Sequence, residues 1–421
     1  MTSTIENPSP DSVATGETSA ALGLPVAPAY GVRGKVAKRV LARILRNVPV
    51  TARLASGETY GDERGPVIEI MNPDRFFARL GQSPMIGLGE SYMAGEWRAA
   101  PGTDLADALS PFAERLTELI RPSFYKLRHV VLPRGLNPEN SKDGARKNIE
   151  RHYDLSNDMF EQFLDPSLSY SSARFDTLDP APGLDQLEEA QLRKVDAILD
   201  EVAVGAGTRV LEIGTGWGTL AIRAAQRGAH VTTVTLSREQ AAFAQQRVDE
   251  AGMTDRVEIA LRDYRDQAGE FDAIISVEMI EAVGEKYWPT YFKAIDSLLA
   301  PGGKVAIQAI LIEHHRMVAT RNTYTWIHKY IFPGGLLPSV EAIRSVVGEH
   351  TSLHVSQVAP MGHHYAHTLR LWREKFLSSW PTVHELGFDE TFRRMWEFYL
   401  AYCEAGFRSG YLDVAQIELS R

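Results

Sequence analysis

The sequence predicts an α/β protein, a doubly wound and mainly parallel sheet of seven strands preceded by a smaller N-terminal α+β domain. Three observations predict it. From about residue 185 to the end, apolar strand-like runs alternate with segments of helical spacing, as in a parallel sheet covered by helices on both faces. The stretch "VLEIGTGWGTLAIRAAQRG" runs from a strand through Gly214, Gly216 and Gly218 into a helix, the opening unit of a Rossmann-like nucleotide fold. Ahead of it, from Pro49 to about Ala108, short strand-like pieces and turns such as "ARLASGETYG" and "GPVIEIMNP" mark the smaller domain.

The elements follow in chain order. Residues 1–30 are rich in Ser, Thr, Pro, Ala and Gly, bury too little apolar surface to offset ordering, and are expected to be a disordered tail. Next, "GVRGKVAKRVLARILRNV" sets Val36, Val40, Ile44 and Val48 four apart, beside Leu41 and Leu45, with Lys35, Lys38, Arg39, Arg43 and Arg46 interleaved. This basic amphipathic helix either caps a domain with its charges solvated or attaches the chain to an anionic bilayer surface. It opens an N-terminal domain over 31–132. Residues 133–148 read as a polar linker, and "IERHYDLSNDMFEQFLDP" resumes helical spacing at the start of the main domain, 149–421. Its strands are expected at 208–213, 230–236, 256–262, 271–277, 303–312, 353–360 and 411–419. Residues 313–350, between the fifth and sixth, form a substrate-covering insertion.

Composition narrows the function. A net charge of −9 over 421 residues argues against nucleic acid as a partner. Cys403 is the single cysteine, so neither an intramolecular disulfide nor a thiolate cluster is expected, which suits a reducing cytoplasm. His314, His315, His363, His364 and His367 lack the matching carboxylates or cysteines of a metal site. The sequence shows no secretory signal and no run of about 18 apolar residues, so membrane contact is expected to be peripheral.

The glycine turn is selective. A dinucleotide reader shows G-x-G-x-x-G and an acid about 20 residues on, whereas here the pattern is G-x-G-x-G and the second strand ends in "TVTLS". Both departures favour a cofactor without a pyrophosphate, S-adenosylmethionine, with the Thr235 hydroxyl available to the ribose. Ser237 and Gln240 fit either a helix capping box or a cofactor contact. Asp263 and Tyr264, in "LRDYRD", sit where an adenine could be held, although a turn Asp beside a core Tyr reads the same. In "SVEMIEAV" two acids, Glu278 and Glu281, follow the fourth strand, at the sheet edge where ligands bind.

With these residues in hand, the chain resembles the cyclopropane fatty acid synthase family of methyltransferases. That family includes the mycolic acid cyclopropane synthases and enzymes that methylenate oleoyl chains toward tuberculostearic acid. The resemblance runs from about Pro49 to the C-terminus on "GESYMAGEW", "HYDLSNDMFEQFLDPSLSYSSARF", "VLEIGTGWGTLA", "VTLSREQ", "IFPGGLLP", "HHYAHTLRLW" and "CEAGFRSGYLDV". It implies S-adenosylmethionine as methyl donor, a cis-unsaturated acyl chain of a phospholipid as acceptor, and a bicarbonate ion as base. By motif, Tyr170, Ser171, Gly214, Thr215, Gly216, Trp217, Gly218, Thr235, Leu236, Gln240, Tyr264 and Arg265 would meet the cofactor, with Asp263 beside them. Ser172, Glu281, Gln308, the Ile310 backbone and Tyr365 would cradle the bicarbonate. Ser172 stands where most members have Cys and Gln308 where they have His, which makes a methylene branch at least as plausible a product as a ring.

The implied chemistry assigns further roles. Aromatic faces stabilise a carbocation, and Tyr324, Trp326, Tyr330 and Phe332 on the insertion are candidates, with core packing as the alternative. His152 is either a lid residue or a surface histidine. Cys403 occupies a position where the family has a proposed catalytic cysteine, yet direct methyl transfer to an alkene has no covalent enzyme step for it to fill. Glu278 has no family role and is expected only to cap or pair locally. A saturated methyl branch would need a separate reductase, since no second nucleotide site is visible. The expected protein is cytoplasmic, peripheral on the inner face of the membrane, and a homo-oligomer. A small-molecule C-methyltransferase and a catalytically decayed lipid-binding module are the rival readings.

Overall fold

The structure is a computed structural model that describes residues 23–62, 64–116 and 157–421. Most of the expected tail, the linker 133–148 and His152 lie outside these residues.

Two sheets organise the chain. The smaller has strand order β2-β1-β3-β4, built from β1 (Thr51–Leu54), β2 (Thr59–Gly61), β3 (Val67–Ile70) and β4 (Trp97–Ala99). Its helices start on sequence signals: Asn72 accepts a hydrogen bond from the Arg75 amide and Pro73 fills the first position of Pro73–Gln82.

The larger sheet carries β5 (Arg209–Ile213), β6 (His230–Thr235), β7 (Val257–Leu261), β8 (Phe271–Val277), β9 (Leu299–Ile312), β10 (His354–Pro360) and β11 (Leu412–Ser420). All seven fall on the expected segments, in the order β10-β11-β9-β8-β5-β6-β7. β5 to β9 pair in parallel, with β5 central between β8 and β6, so the crevice at the carboxyl ends of β5 and β8 is the topological switch point. The last strand, β11, inserts antiparallel between β9 and β10. That placement brings Gln416 opposite Gln308.

Segment 313–350 folds as three helices, His314–Thr320, Trp326–Tyr330 and Val340–His350. Trp326 packs edge-on against Phe398 at 4.9 Å and its indole N–H points to the Met93 sulfur at 3.3 Å, so this part of the segment meets the N-terminal elements. Among the described residues, no helix is long and apolar enough to cross a membrane.

The long helix Glu390–Arg408, capped by Asp389, joins the two halves. Its buried Glu404 accepts from Arg373 at 2.9 Å, and Arg373 also donates to Asp104 at the start of Leu105–Glu114, at 2.8 Å. Removing one partner of such a buried pair leaves an uncompensated charge. Arg373→Met is therefore expected to lower unfolding free energy by about 3 kcal/mol, measured by urea denaturation.

Candidate active site

The site grows from the turn after β5. Gly214, Gly216 and Gly218 all have positive φ, at 101°, 51° and 88°, which side-chain-bearing residues adopt only with strain. Gly218 is the N-cap of Thr219–Gln226, and a Cβ there would stand 3.2 Å from that of Ala244. The turn borders a cavity at the carboxyl ends of β5, β6, β7 and β8. Tyr170, Ser171, Gly214, Thr215, Gly216, Trp217, Thr235, Leu236, Gln240, Asp263, Tyr264 and Arg265 all line it. Gly218 does not, and acts through the turn.

Local bonds hold these side chains. Ser237 accepts from the Gln240 amide at 3.1 Å, half of the expected capping box, while the Gln240 side chain turns to the Thr235 hydroxyl at 3.2 Å. Asp263 receives the Arg265 guanidinium at 2.8 and 2.6 Å, leaving the Tyr264 ring edge-on to Tyr291. The Tyr170 hydroxyl meets that of Tyr399 at 2.8 Å, and its ring lies 5.4 Å from Trp372. Phe332 packs on Tyr399 at 5.8 Å, whereas Tyr330 donates to Glu90, away from the cavity.

The anion cradle differs from expectation. The Ser172 amide donates to Glu278 Oε1 at 2.9 Å, the Gln308 Nε2 to the same oxygen at 2.8 Å, and the Tyr365 hydroxyl to Oε2 at 2.8 Å. Three of the five groups assigned to bicarbonate thus end on a carboxylate of the chain itself. The Ser172 hydroxyl bonds to the Ala173 carbonyl instead, so its exchange for Cys leaves the cradle's donor, a backbone amide, in place. The other two groups pair together: the Ile310 amide donates to Glu281, whose second oxygen is buried with no hydrogen-bond partner among the described residues. Glu278 lines the cavity and Glu281 does not. A bicarbonate here would set a second anion against Glu278 after its donors are taken, so these residues do not fit it.

The reassignment reverses the two acids. Glu278 pairs across 106, 30 and 87 residues of sequence, far from local capping, and sits at φ 49°, a strained conformation for a side-chain-bearing residue. Burial raises its pKa, opposed by the Ser172 amide, Gln308, the Lys194 charge and Tyr365. Glu281 is pushed up to about 8 by burial and by the charge of Glu278.

Two further residues escaped the sequence reading. Lys194, fully buried on Leu187–Glu201, donates to the Ser171 hydroxyl at 2.6 Å and lines the cavity. Burial lowers its pKa to about 8, against the charges of Glu278, Asp165 and Glu212. Glu212 on β5 accepts from Thr233 at 2.6 Å, and burial pushes it up to about 8. A signal existed: Gln191 and Lys194 interrupt the apolar face of Leu187 and Ile198 at helical spacing.

Cys403 lies on the helix Glu390–Arg408. Burial pushes its thiol up to about 12, the opposite of a nucleophile's shift. Of the histidines, the His364 ring accepts from the Phe175 amide, and His314 bonds to Ser339.

The pattern described as mycolic acid cyclopropane synthetase matches residues 140–417. The chain belongs to this family. It is 51% identical over 403 residues to the tuberculostearic acid methyltransferase UfaA1 of Mycobacterium tuberculosis, covering 94% of each chain. It is 36% identical over 359 residues to the cyclopropane-fatty-acyl-phospholipid synthase of Escherichia coli, covering 84% of this chain and 87% of that one. The structure of mycolic acid cyclopropane synthase CmaA1 complexed with SAH and CTAB matches with a TM-score of 0.60 at 29% identity, over 66% of this chain and 98% of that one. The protein is therefore an S-adenosylmethionine-dependent methyltransferase acting on lipids, and the cavity bordered by the glycine turn suits that cofactor.

Two measurements check this site. Gly218→Ala, which forces a Cβ into a left-handed residue near Ala244, is expected to weaken S-adenosylmethionine binding about tenfold in calorimetry. Cys403→Ala is expected to keep turnover within about threefold, because no step needs a thiolate.

Proposed function

We propose that this methyltransferase transfers a methyl carbon to the cis double bond of an unsaturated acyl chain in a phospholipid and leaves a methylene branch, with Glu278 as the base in place of bicarbonate. The observation that carries the reading is the Glu278 carboxylate, fixed by three donors at the wall of the cofactor cavity. The identity to a tuberculostearic acid methyltransferase supports the branched product over the ring. Bound S-adenosylmethionine supplies an electrophilic methyl group and leaves as a neutral thioether.

The residues do the rest. Tyr170 lines the cavity and is held there by the Trp372 ring and the Tyr399 hydroxyl, so its aromatic surface keeps water from a carbocation and stabilises it. Attack by the alkene puts the methyl on one carbon and the cation on its neighbour. A 1,2-hydride shift moves the cation to the methyl-bearing carbon. Glu278 then takes a proton from that methyl, and the C–H electrons form the exocyclic double bond. Without the shift, loss of the same proton would close a ring. Ser172, Gln308 and Tyr365 hold the carboxylate still through both steps, and Lys194 offsets its charge. A saturated methyl branch would require a separate reductase. The bilayer, met from the cytoplasmic side, is the source of the acyl chain.

The decisive experiment is fragmentation mass spectrometry of lipids from cells expressing this chain. A methylene-branched acyl chain is expected; a cyclopropane alone would overturn the product, and no lipid change would sink the reading. Glu278→Gln is expected to lower turnover at least a hundredfold while calorimetric S-adenosylmethionine binding persists; Glu281→Gln should cost less. The active carboxylate is ionised, so activity is present above the Glu278 pKa and lost as pH falls through it. Because burial raises that pKa above the ordinary 4.5, the loss begins at a higher pH than for an exposed glutamate. A pH–rate profile checks this.

A further inference from the structure

The helix Val32–Ile44 shows two faces that its sequence does not separate. Inward, it is seated by close backbone contact: a Cβ on Gly81 of Pro73–Gln82 would fall 2.6 Å from the Arg33 carbonyl, and one on Gly34 would stand 3.4 Å from the Phe77 carbonyl oxygen. Leu45 and Val48, just beyond its end, are buried in the core. Outward, Val32, Val36 and Val40 follow one another a turn apart and remain 78%, 50% and 46% exposed. Arg33, Lys35, Arg39 and Arg43 stand exposed around them. None of the four has an ion pair or side-chain hydrogen bond among the described residues, in contrast to Lys38, which pairs with Glu58 at 2.7 Å.

A solvated face would carry these charges without the valines, and a packed face would not leave the valines in water. Apolar and cationic residues together on one outward face match a helix lying in a bilayer interface. We propose that this face of Val32–Ile44 docks the protein on an anionic phospholipid bilayer, valines toward the acyl boundary and cations among the headgroup phosphates. The proposal rests on the lipid substrate argued above and names the surface through which that lipid is reached.

Charge decides the occupant. The chain carries a net −9, which an anionic surface repels, so attraction must come from a local cluster acting within a Debye length of about 8–10 Å. Self-pairing of the face would set its cations against those of a second copy, which argues against a dimer contact. The face also connects to the site. Pro73–Gln82 packs on Pro84–Met93, whose Glu90 accepts from Lys329 at 2.5 Å and Tyr330 at 2.8 Å. Phe332, two residues on, rests against Tyr399, which bonds to Tyr170 of the cofactor cavity.

The test is flotation of the full chain with vesicles, without turnover. Binding is expected to phosphatidylglycerol vesicles and not to phosphatidylcholine, and to weaken with salt. Each neutralised cation is expected to cost about fivefold, so the triple variant Lys35→Gln, Arg39→Gln, Arg43→Gln should bind on the order of a hundredfold less tightly. Val36→Ser with Val40→Ser should weaken binding while leaving its salt dependence. Calorimetric S-adenosylmethionine affinity serves as the control for folding and should not change. Wild-type binding equal for both lipids, no vesicle binding at all, unchanged binding by the triple variant, or a variant that alters oligomeric state in sedimentation would each overturn the proposal. Because turnover is not measured, vesicle binding through this face without any lipid product would refute the proposed reaction and leave the docking surface standing.

Discussion

The site depends on holding one carboxylate away from bulk water. Burying such a group is costly unless its oxygens are bonded, and here the donors come from three places: the Ser172 amide in a loop, Gln308 on β9, and Tyr365 on Gly362–Ser378. Each element must be in position for Glu278 to remain there. The left-handed backbone at Glu278 adds strain that the surrounding structure has to sustain. The constraint therefore reaches outward into the fold.

It reaches first into β11. Gln416 on that strand donates to the Gln308 oxygen at 3.2 Å and to the Lys194 carbonyl at 3.1 Å. The antiparallel insertion of the last strand thus orients a donor to Glu278 and anchors the helix that carries Lys194. Gln191 on the same helix holds the Ser169 and Ser171 carbonyls, fixing the loop that presents the Ser172 amide. Beneath the glycine turn, Thr215, Thr233 and Glu212 form a second buried chain.

The sequence made the parallel sheet and the cofactor turn legible because both are local. Alternating apolar runs mark strands, and three glycines between a strand and a helix mark a turn that needs positive φ. The choice between Glu278 and Glu281 was not local. Both follow the same strand, and which one reaches the cavity depends on a φ of 49° and on partners at residues 172, 308 and 365. The resemblance pointed to Glu281 because it transfers roles by position, and it says nothing of the acid three residues earlier. The helix at residue 32 shows the same limit. Its valines have core-like spacing, yet the Gly34 and Gly81 contacts turn them outward.

Hydrogen bonding also favours charge on one acid over the other. Glu278 has three donors from distant elements and a buried ammonium nearby, whereas Glu281 is held by backbone amides alone, keeps an oxygen with no hydrogen-bond partner among the described residues, and has Glu278 as a repelling neighbour. Two carboxylates so close in a dry site do not both ionise readily. The hydrogen bonds therefore favour the charge on Glu278 over Glu281, at the cavity wall where a cation forms in the proposed reaction. A free bicarbonate would have to bring its own charge into the same enclosure and compete for the same donors. A side chain already folded into that position avoids both costs, and this is the physical case for an internal base.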